Sequence, residues 1–91
     1  MTTTAPATPA TLTIQVLLFG SYAETVGRNV LELALRNPAT ITDAVAHLRS
    51  LPGGQQIPPR PLCALNLAQA PLETPLSAGD ELAILPPLAG G

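Results

Sequence analysis

Few residues in this chain could do chemistry, and one group stands apart. Gly90 and Gly91 are the last two residues of the 91. A carboxylate on Gly91 would sit at the tip of an arm whose final two positions carry no Cβ. Such an arm can enter a narrow channel and take backbone angles closed to other residues. A carboxylate is a poor electrophile at neutral pH. Conversion to an acyl-adenylate makes it reactive. The acyl group can then be captured by sulfide, giving a thiocarboxylate, or by an amine, giving an amide. The chain has no ATP-binding loop of its own, because Gly53-Gly54 lacks the following Lys-Ser or Lys-Thr. Activation of Gly91 therefore calls for a partner enzyme.

Other constellations are excluded by what is missing. The composition includes one histidine and one cysteine, so neither a His-based nor a Cys-rich metal cluster can form. His47 falls opposite an apolar helical stripe, where a solvated imidazole is the expectation. Ser21, Ser50 and Ser77 have no Gly-x-Ser-x-Gly elbow around them. Cys63 lies mid-strand and reads as an inert, partly buried thiol. Asp80 and Glu81 are adjacent and would point apart on a strand, so they read as a solvated turn, not an acid–base pair.

The elements must then carry the arm. Glu81 to Leu85 alternates as a strand, and Pro86-Pro87 stops it, since neither proline has an N–H for the ladder. Beyond that point the arm, Pro86, Pro87, Leu88, Ala89, Gly90 and Gly91, is expected to project as a flexible tail. At the other end, residues 2–11 are Thr, Ala and Pro, which reads as a disordered leader. Leu12, Ile14, Val16 and Leu18 then alternate with Thr13, Gln15, Leu17 and Phe19 as a first strand. The second face of this strand is polar early and apolar late. Burial on both faces or a partner site near Leu17 and Phe19 would each explain that change.

Ser21 with Glu24 has capping-box spacing for a short helix, which Gly27 would end. Asn29 to Leu35 is a second strand, ended by Asn37-Pro38. Thr40-Ile41-Thr42-Asp43 repeats the capping-box signature before Ile41, Ala44, Val45, Leu48 and Leu51, the apolar stripe of the main helix over 41–51. Pro52-Gly53-Gly54 stops it as a turn, and residues 52–61 form a loop. Leu62 to Leu67 is a third strand, with a brief one near 68–72. Ala78-Gly79-Asp80 turns into the last. If the first and last strands are neighbours, Leu17, Phe19, Ala83 and Leu85 form one exposed apolar patch beside the arm. The order predicts an α+β fold: a β-grasp, or ubiquitin-like roll, with one main helix covering one face of a mixed sheet. The domain spans 12–85. A four-stranded ferredoxin-like sheet would need a second long helix, and none is present.

Composition agrees with one small domain. Hydrophobic residues make up 46%, with one Phe, one Tyr and no Trp, so the core is aliphatic. The net charge is −2, and all four cations are arginines, scattered at 28, 36, 49 and 60. That pattern excludes a nucleic-acid footprint. The first ten residues lack the charged and apolar regions of a secretory signal. No apolar run is long enough to span a membrane. A lone cysteine fits a reducing compartment, so the expected location is cytoplasmic.

Taken together, Val16-Leu17-Leu18-Phe19, Glu24-x-Val26-Gly27, Thr40, Leu65-Asn66, Pro75-Leu76-x-x-Gly79-Asp80-Glu81 and Pro86-Pro87-x-x-Gly90-Gly91 resemble the small subunit of molybdopterin synthase. That is a family of ubiquitin-like sulfur carriers, and the likeness covers residues 12–91. Ala23 stands where the family often has arginine, so no salt bridge is carried over there. The resemblance implies that a ubiquitin-activating-like adenylyltransferase uses Mg-ATP to adenylate Gly91. A sulfur donor then makes the thiocarboxylate. The arm enters the large synthase subunit and gives sulfur to cyclic pyranopterin monophosphate, in a heterotetramer whose active site lies on the large subunit. The chain itself would bind no cofactor and act as a non-catalytic carrier. Leu17, Phe19 and Leu85 would be the docking face. A carrier for thiamine thiazole or other thiolation, a protein modifier, and a plain interaction domain are the alternatives. Thiazole carriers usually lack the segment Ser21–Val26. The absence of lysine rules out self-chains through lysine but not attachment to other proteins.

Overall fold

The computed structural model describes residues 10–87. Its elements are β1 (Thr11–Leu18), α1 (Gly20–Val26), β2 (Val30–Arg36), α2 (Ile41–Arg49), a single 3-10 turn (Gly54–Gln56), β3 (Leu62–Leu65), β4 (Ala68–Gln69) and β5 (Glu81–Leu85). They build one five-stranded sheet in the order β2-β1-β5-β3-β4. β1 and β5 run parallel, and the other pairs are antiparallel. This is the mixed β-grasp sheet expected from the order of elements.

Period-two alternation does the sorting. Leu12, Ile14, Val16 and Leu18 of β1, Leu31, Leu33 and Leu35 of β2, and Leu82 and Ile84 of β5 all turn to one face and are buried. α2 covers that face with Ile41, Ala44, Val45 and Leu48, also buried. Each such Leu, Ile or Val side chain contributes about 1.5–3 kcal/mol by leaving water. Among the described residues no polar or charged side chain is buried, so the core carries no desolvation cost of that kind.

The two helix starts differ. Thr40 opens α2 as expected: its N–H donates to Asp43 Oδ2 at 2.8 Å, and its hydroxyl donates to the same oxygen at 3.2 Å. The capping box expected at Ser21 and Glu24 does not form. α1 begins at Gly20, with Phe19 as its N-cap, two residues before Ser21, and no side-chain cap bond. The chain leaves β1 directly into the helix. Gly20 makes that turn at φ +55°, so the cap position falls on Phe19, whose side chain has no hydrogen-bond acceptor. Gly27 ends α1 in the left-handed region, as predicted.

Other boundaries shift by small amounts. β1 starts at Thr11, paired with Arg36, one residue before the expected strand. α2 ends at Arg49. β3 ends at Leu65, because Asn66 and Leu67 both have positive φ and form a two-residue hairpin turn to β4. Gly53-Gly54 is more than a turn. A Cβ on Gly53 would lie 1.9 Å from the Thr25 carbonyl oxygen, and one on Gly54 would lie 1.9 Å from that of Leu48. The pair is where the loop beds down on both helices. Ile57, fully buried, follows it into the core.

Candidate functional site

The expected arm would begin where β5 ends, at Leu85. Leu88, Ala89, Gly90 and Gly91 lie outside the described residues, as do residues 1–9 of the expected leader. What the structure places is the root of the arm and the surface around it. Pro86 is half-buried and lies over Gly20: a Cβ there would be 3.4 Å from Pro86 Cγ. Pro87 is exposed. Neither proline is in a strand, in keeping with their missing N–H groups.

The sheet face opposite α2 surrounds this root. The register puts Leu17 beside Ala83 and, on its other side, beside Val30. Ala83 is beside Ala64, and Leu85 is beside Leu62. Phe19 follows Leu17 by two residues and so lies at the level of Leu85. The expected patch of Leu17, Phe19, Ala83 and Leu85 therefore assembles on one face. Sequence reasoning missed Leu62 and Val30, which extend it. Phe19, Val30 and Leu62 are 44%, 46% and 49% exposed. Leu62 was legible as the outward partner of Cys63 in the β3 alternation. Its place next to Leu85 needed the antiparallel register of β3 on β5.

The other half of the same face is polar. Gln15 lies between Glu32 and Glu81. Asn66 fastens the start of β5 there: its Oδ1 accepts from the Glu81 N–H at 2.9 Å, and its Nδ2 donates to Asp80 Oδ1 at 3.0 Å. The Asp80 carboxylate also accepts from the Ser77 N–H at 2.7 Å. The expected acidic turn is thus a hydrogen-bonded clamp. It holds the strand whose far end carries the arm. The clamp sits at the opposite end of β5 from Pro86, so on this face the apolar half is the one beside the arm's root.

The remaining candidates are placed away from this face. His47 is exposed on α2. Cys63 is buried, its thiol donating weakly to the Pro61 carbonyl at 3.6 Å, and burial pushes its pKa from 9.0 up to about 11. The thiol is protonated at neutral pH and is not a nucleophile. In the unfolded chain it ionises near its ordinary value. Between about pH 9 and 11 the unfolded state therefore holds fewer protons than the folded one, and stability falls as pH rises through that window. Tyr22 is also raised, first by burial and then by Cys63, so Cys63→Ala is the comparison. Urea midpoints measured from pH 8 to 11 are expected to fall less steeply in the variant. Parallel slopes would refute a titrating Cys63.

Among the described residues no group of His, Cys, Asp and Glu is arranged to hold a metal ion, and no helix is long and apolar enough to cross a membrane.

Comparison with known proteins agrees with this architecture. The chain superimposes on SAMP1 from Haloferax volcanii with a TM-score of 0.76 and 26% identity, covering 87% of this chain and 99% of that one. It superimposes on the small archaeal modifier protein 1 from Methanosarcina acetivorans with a TM-score of 0.74 and 22% identity over 89% and 98%, a likeness of fold. A chain of the protein–protein complex of subunits 1 and 2 of molybdopterin-converting factor from Helicobacter pylori 26695 matches with a TM-score of 0.63 and 25% identity, over 88% and 100%. No curated protein sequence matches significantly. The ThiS family profile matches residues 16–91. It starts inside β1, takes in every later element and runs through Gly91, and so the chain belongs to the ThiS family and has its ubiquitin-like sulfur-carrier fold.

Proposed function

We propose that this chain is the sulfur-carrying small subunit of a molybdopterin synthase. Gly91 is adenylated by a ubiquitin-activating-like partner using Mg-ATP. Sulfide equivalents from a donor displace AMP and leave a terminal thiocarboxylate. The arm, Pro86 to Gly91, then delivers sulfur to cyclic pyranopterin monophosphate in the large subunit, as part of a heterotetramer. The observation that carries this reading is the apolar half-face of Leu17, Phe19, Leu62 and Leu85 around the arm's root. It supplies a docking surface that would hold the arm at a partner's active site. Full-length coverage of a chain from a complex of subunits 1 and 2 of a converting factor supports the same partner. The segment Ser21–Val26, usually absent from thiazole carriers, is present and lies within a helix.

A second reading, a protein modifier, draws support from the higher TM-score with SAMP1. The two share activation and differ in the acceptor. The test is intact mass after incubation with ATP, an activating enzyme of this class and a sulfur source, followed by addition of the large subunit and the pterin precursor. The expected result is a gain matching one oxygen exchanged for sulfur, lost completely when Gly91 is deleted, with sulfur then passing to the pterin. A loaded carrier that leaves the pterin unchanged but forms amide adducts on other proteins would favour the modifier. No mass gain, with the enzyme active on another carrier, would defeat both.

A further inference from the structure

The two edges of the sheet differ. β4 contributes two residues and β2 seven, and β2 is paired with β1 alone among the described residues. Two bonds fix the phase of that ladder: Leu18 N–H to Asn29 O at 2.8 Å, and Asn37 N–H to Ala10 O at 3.0 Å. Leu31, Leu33 and Leu35 therefore turn their amides and carbonyls towards β1. Val30, Glu32, Ala34 and Arg36 turn theirs outward, forming an open row of the kind that recruits another strand. Edge strands are usually protected by charge. Here the two charges are opposite in sign and four residues apart. The ion pair found among the described residues is Arg60 with Glu73, and it involves neither Glu32 nor Arg36.

We propose that β2 pairs with β2 of a second copy, antiparallel about a two-fold axis through Ala34. In that register Ala34 faces its own counterpart, and Glu32 faces Arg36 of the second copy on both sides of the axis. Each exposed charge gains an opposite cross-strand neighbour. The charges select this axis. Moving it to Glu32 or to Arg36 places like charges face to face. Moving it to Leu33 or Leu35 leaves each charge opposite an uncharged residue. On the helix side Leu33 faces Leu35 of the second copy. A groove of about 360 Å³ lies there, lined by Val26, Leu31, Leu33, Leu51 and Pro52 together with the polar Arg28, Glu32 and His47. Strand pairing closes its open side.

The resulting ten-stranded sheet keeps both apolar half-faces on one surface; of the residues named in them, Val30 lies on the pairing strand. The two β5 strands sit about five strand spacings apart, roughly 24 Å, and their arms leave from opposite ends. The proposal is thus independent of what the arm carries.

Sedimentation velocity on the full chain tests it, from about 10 µM to about 1 mM, where a small strand-edge interface is expected to assemble. The expected result is a reversible dimer. Glu32→Arg or Arg36→Glu alone should weaken it at least about tenfold by opposing like charges. The double variant should restore it. Both sites are exposed, and thermal melts check that each variant folds. In the native chain, amide exchange at Glu32, Ala34 and Arg36 should slow as concentration rises. A monomer throughout the range, a dimer indifferent to either single reversal, or a double variant that stays monomeric would overturn the proposal.

Discussion

Replacing Gly54 with alanine is expected to unfold the domain, or to lower its stability by more than about 3 kcal/mol. Gly54 is buried at the first position of the 3-10 turn, and its N–H donates to the Leu51 carbonyl at 2.8 Å. An added Cβ would lie 1.9 Å from the Leu48 carbonyl oxygen, 2.9 Å from that residue's carbonyl carbon and 3.2 Å from Arg49 Cα. These are backbone atoms in the last turn of α2, so no rotamer change relieves the overlap. The loop cannot lift away either. Arg49 Nε donates to the Ile57 carbonyl at 2.8 Å, and the Ile57 side chain is fully buried. Lifting the loop would draw Ile57 out of the core, which itself costs about 2–5 kcal/mol by analogy with its truncation. A domain of this size has a total stability of roughly 5–14 kcal/mol. Gly79→Ala is the control. Gly79 has φ +86° but nothing within 4 Å of a built Cβ, so the expected loss is the left-handed cost alone, about 1–2 kcal/mol. Urea melts of both variants separate the two effects. A Gly54→Ala midpoint close to that of Gly79→Ala would show that the loop is not seated as described.

Phe19→Asp is expected to leave the fold intact and to weaken docking to a large synthase subunit at least about thirtyfold, the loss of about 2 kcal/mol typical of a central apolar anchor. The fold should survive for a local reason. Phe19 is the N-cap of α1, with extended backbone angles, and its carbonyl accepts from the Tyr22 and Ala23 N–H groups. Aspartate is favoured at an N-cap, so the substitution suits the helix while placing a charge in the apolar half-face. Gln15→Asp, on the polar half of the same face, adds the same charge about four residues from Phe19 along β1. It should change affinity little. Calorimetric titration with the large subunit, alongside thermal melts, reads both. Equal losses from Phe19→Asp and Gln15→Asp would point to a charge effect on encounter and not to a docking patch. Unchanged affinity in Phe19→Asp would remove this face from the interface.

Much of this architecture was legible in the residues because the relevant forces act over short distances along the chain. Alternation of Leu12, Ile14, Val16 and Leu18 can only present one apolar face. The stripe of Ile41, Ala44, Val45 and Leu48 fits a helical period, and Thr40 with Asp43 starts it. Pro86-Pro87 ends β5 because neither residue can donate to a neighbour. The single histidine and single cysteine spoke against a His-based or Cys-rich metal cluster, and the missing lysine against self-chains through lysine, before any fold was known. The polar-then-apolar change along the outer face of β1 was also readable, and so was the candidate patch at Leu17, Phe19 and Leu85.

Other features depended on residues far apart in sequence, and only the tertiary structure decided them. Leu62 and Val30 joined the patch through strand register, which is set by the packing of whole faces. Asn66 looked like a strand residue, yet it turns the hairpin and clamps Glu81, fifteen residues away. Ser21 had the right spacing for a cap, but the path from β1 into α1 put the cap position at Phe19 and Ser21 inside the helix. The internal Gly53-Gly54 reads locally like any turn, and its importance comes from the backbones of Thr25 and Leu48 pressed against it. By themselves the residues determined the elements, the aliphatic core and the stop of β5 at the two prolines. The tertiary structure decided which surfaces meet, because contacts between distant segments carry no local signature in the chain.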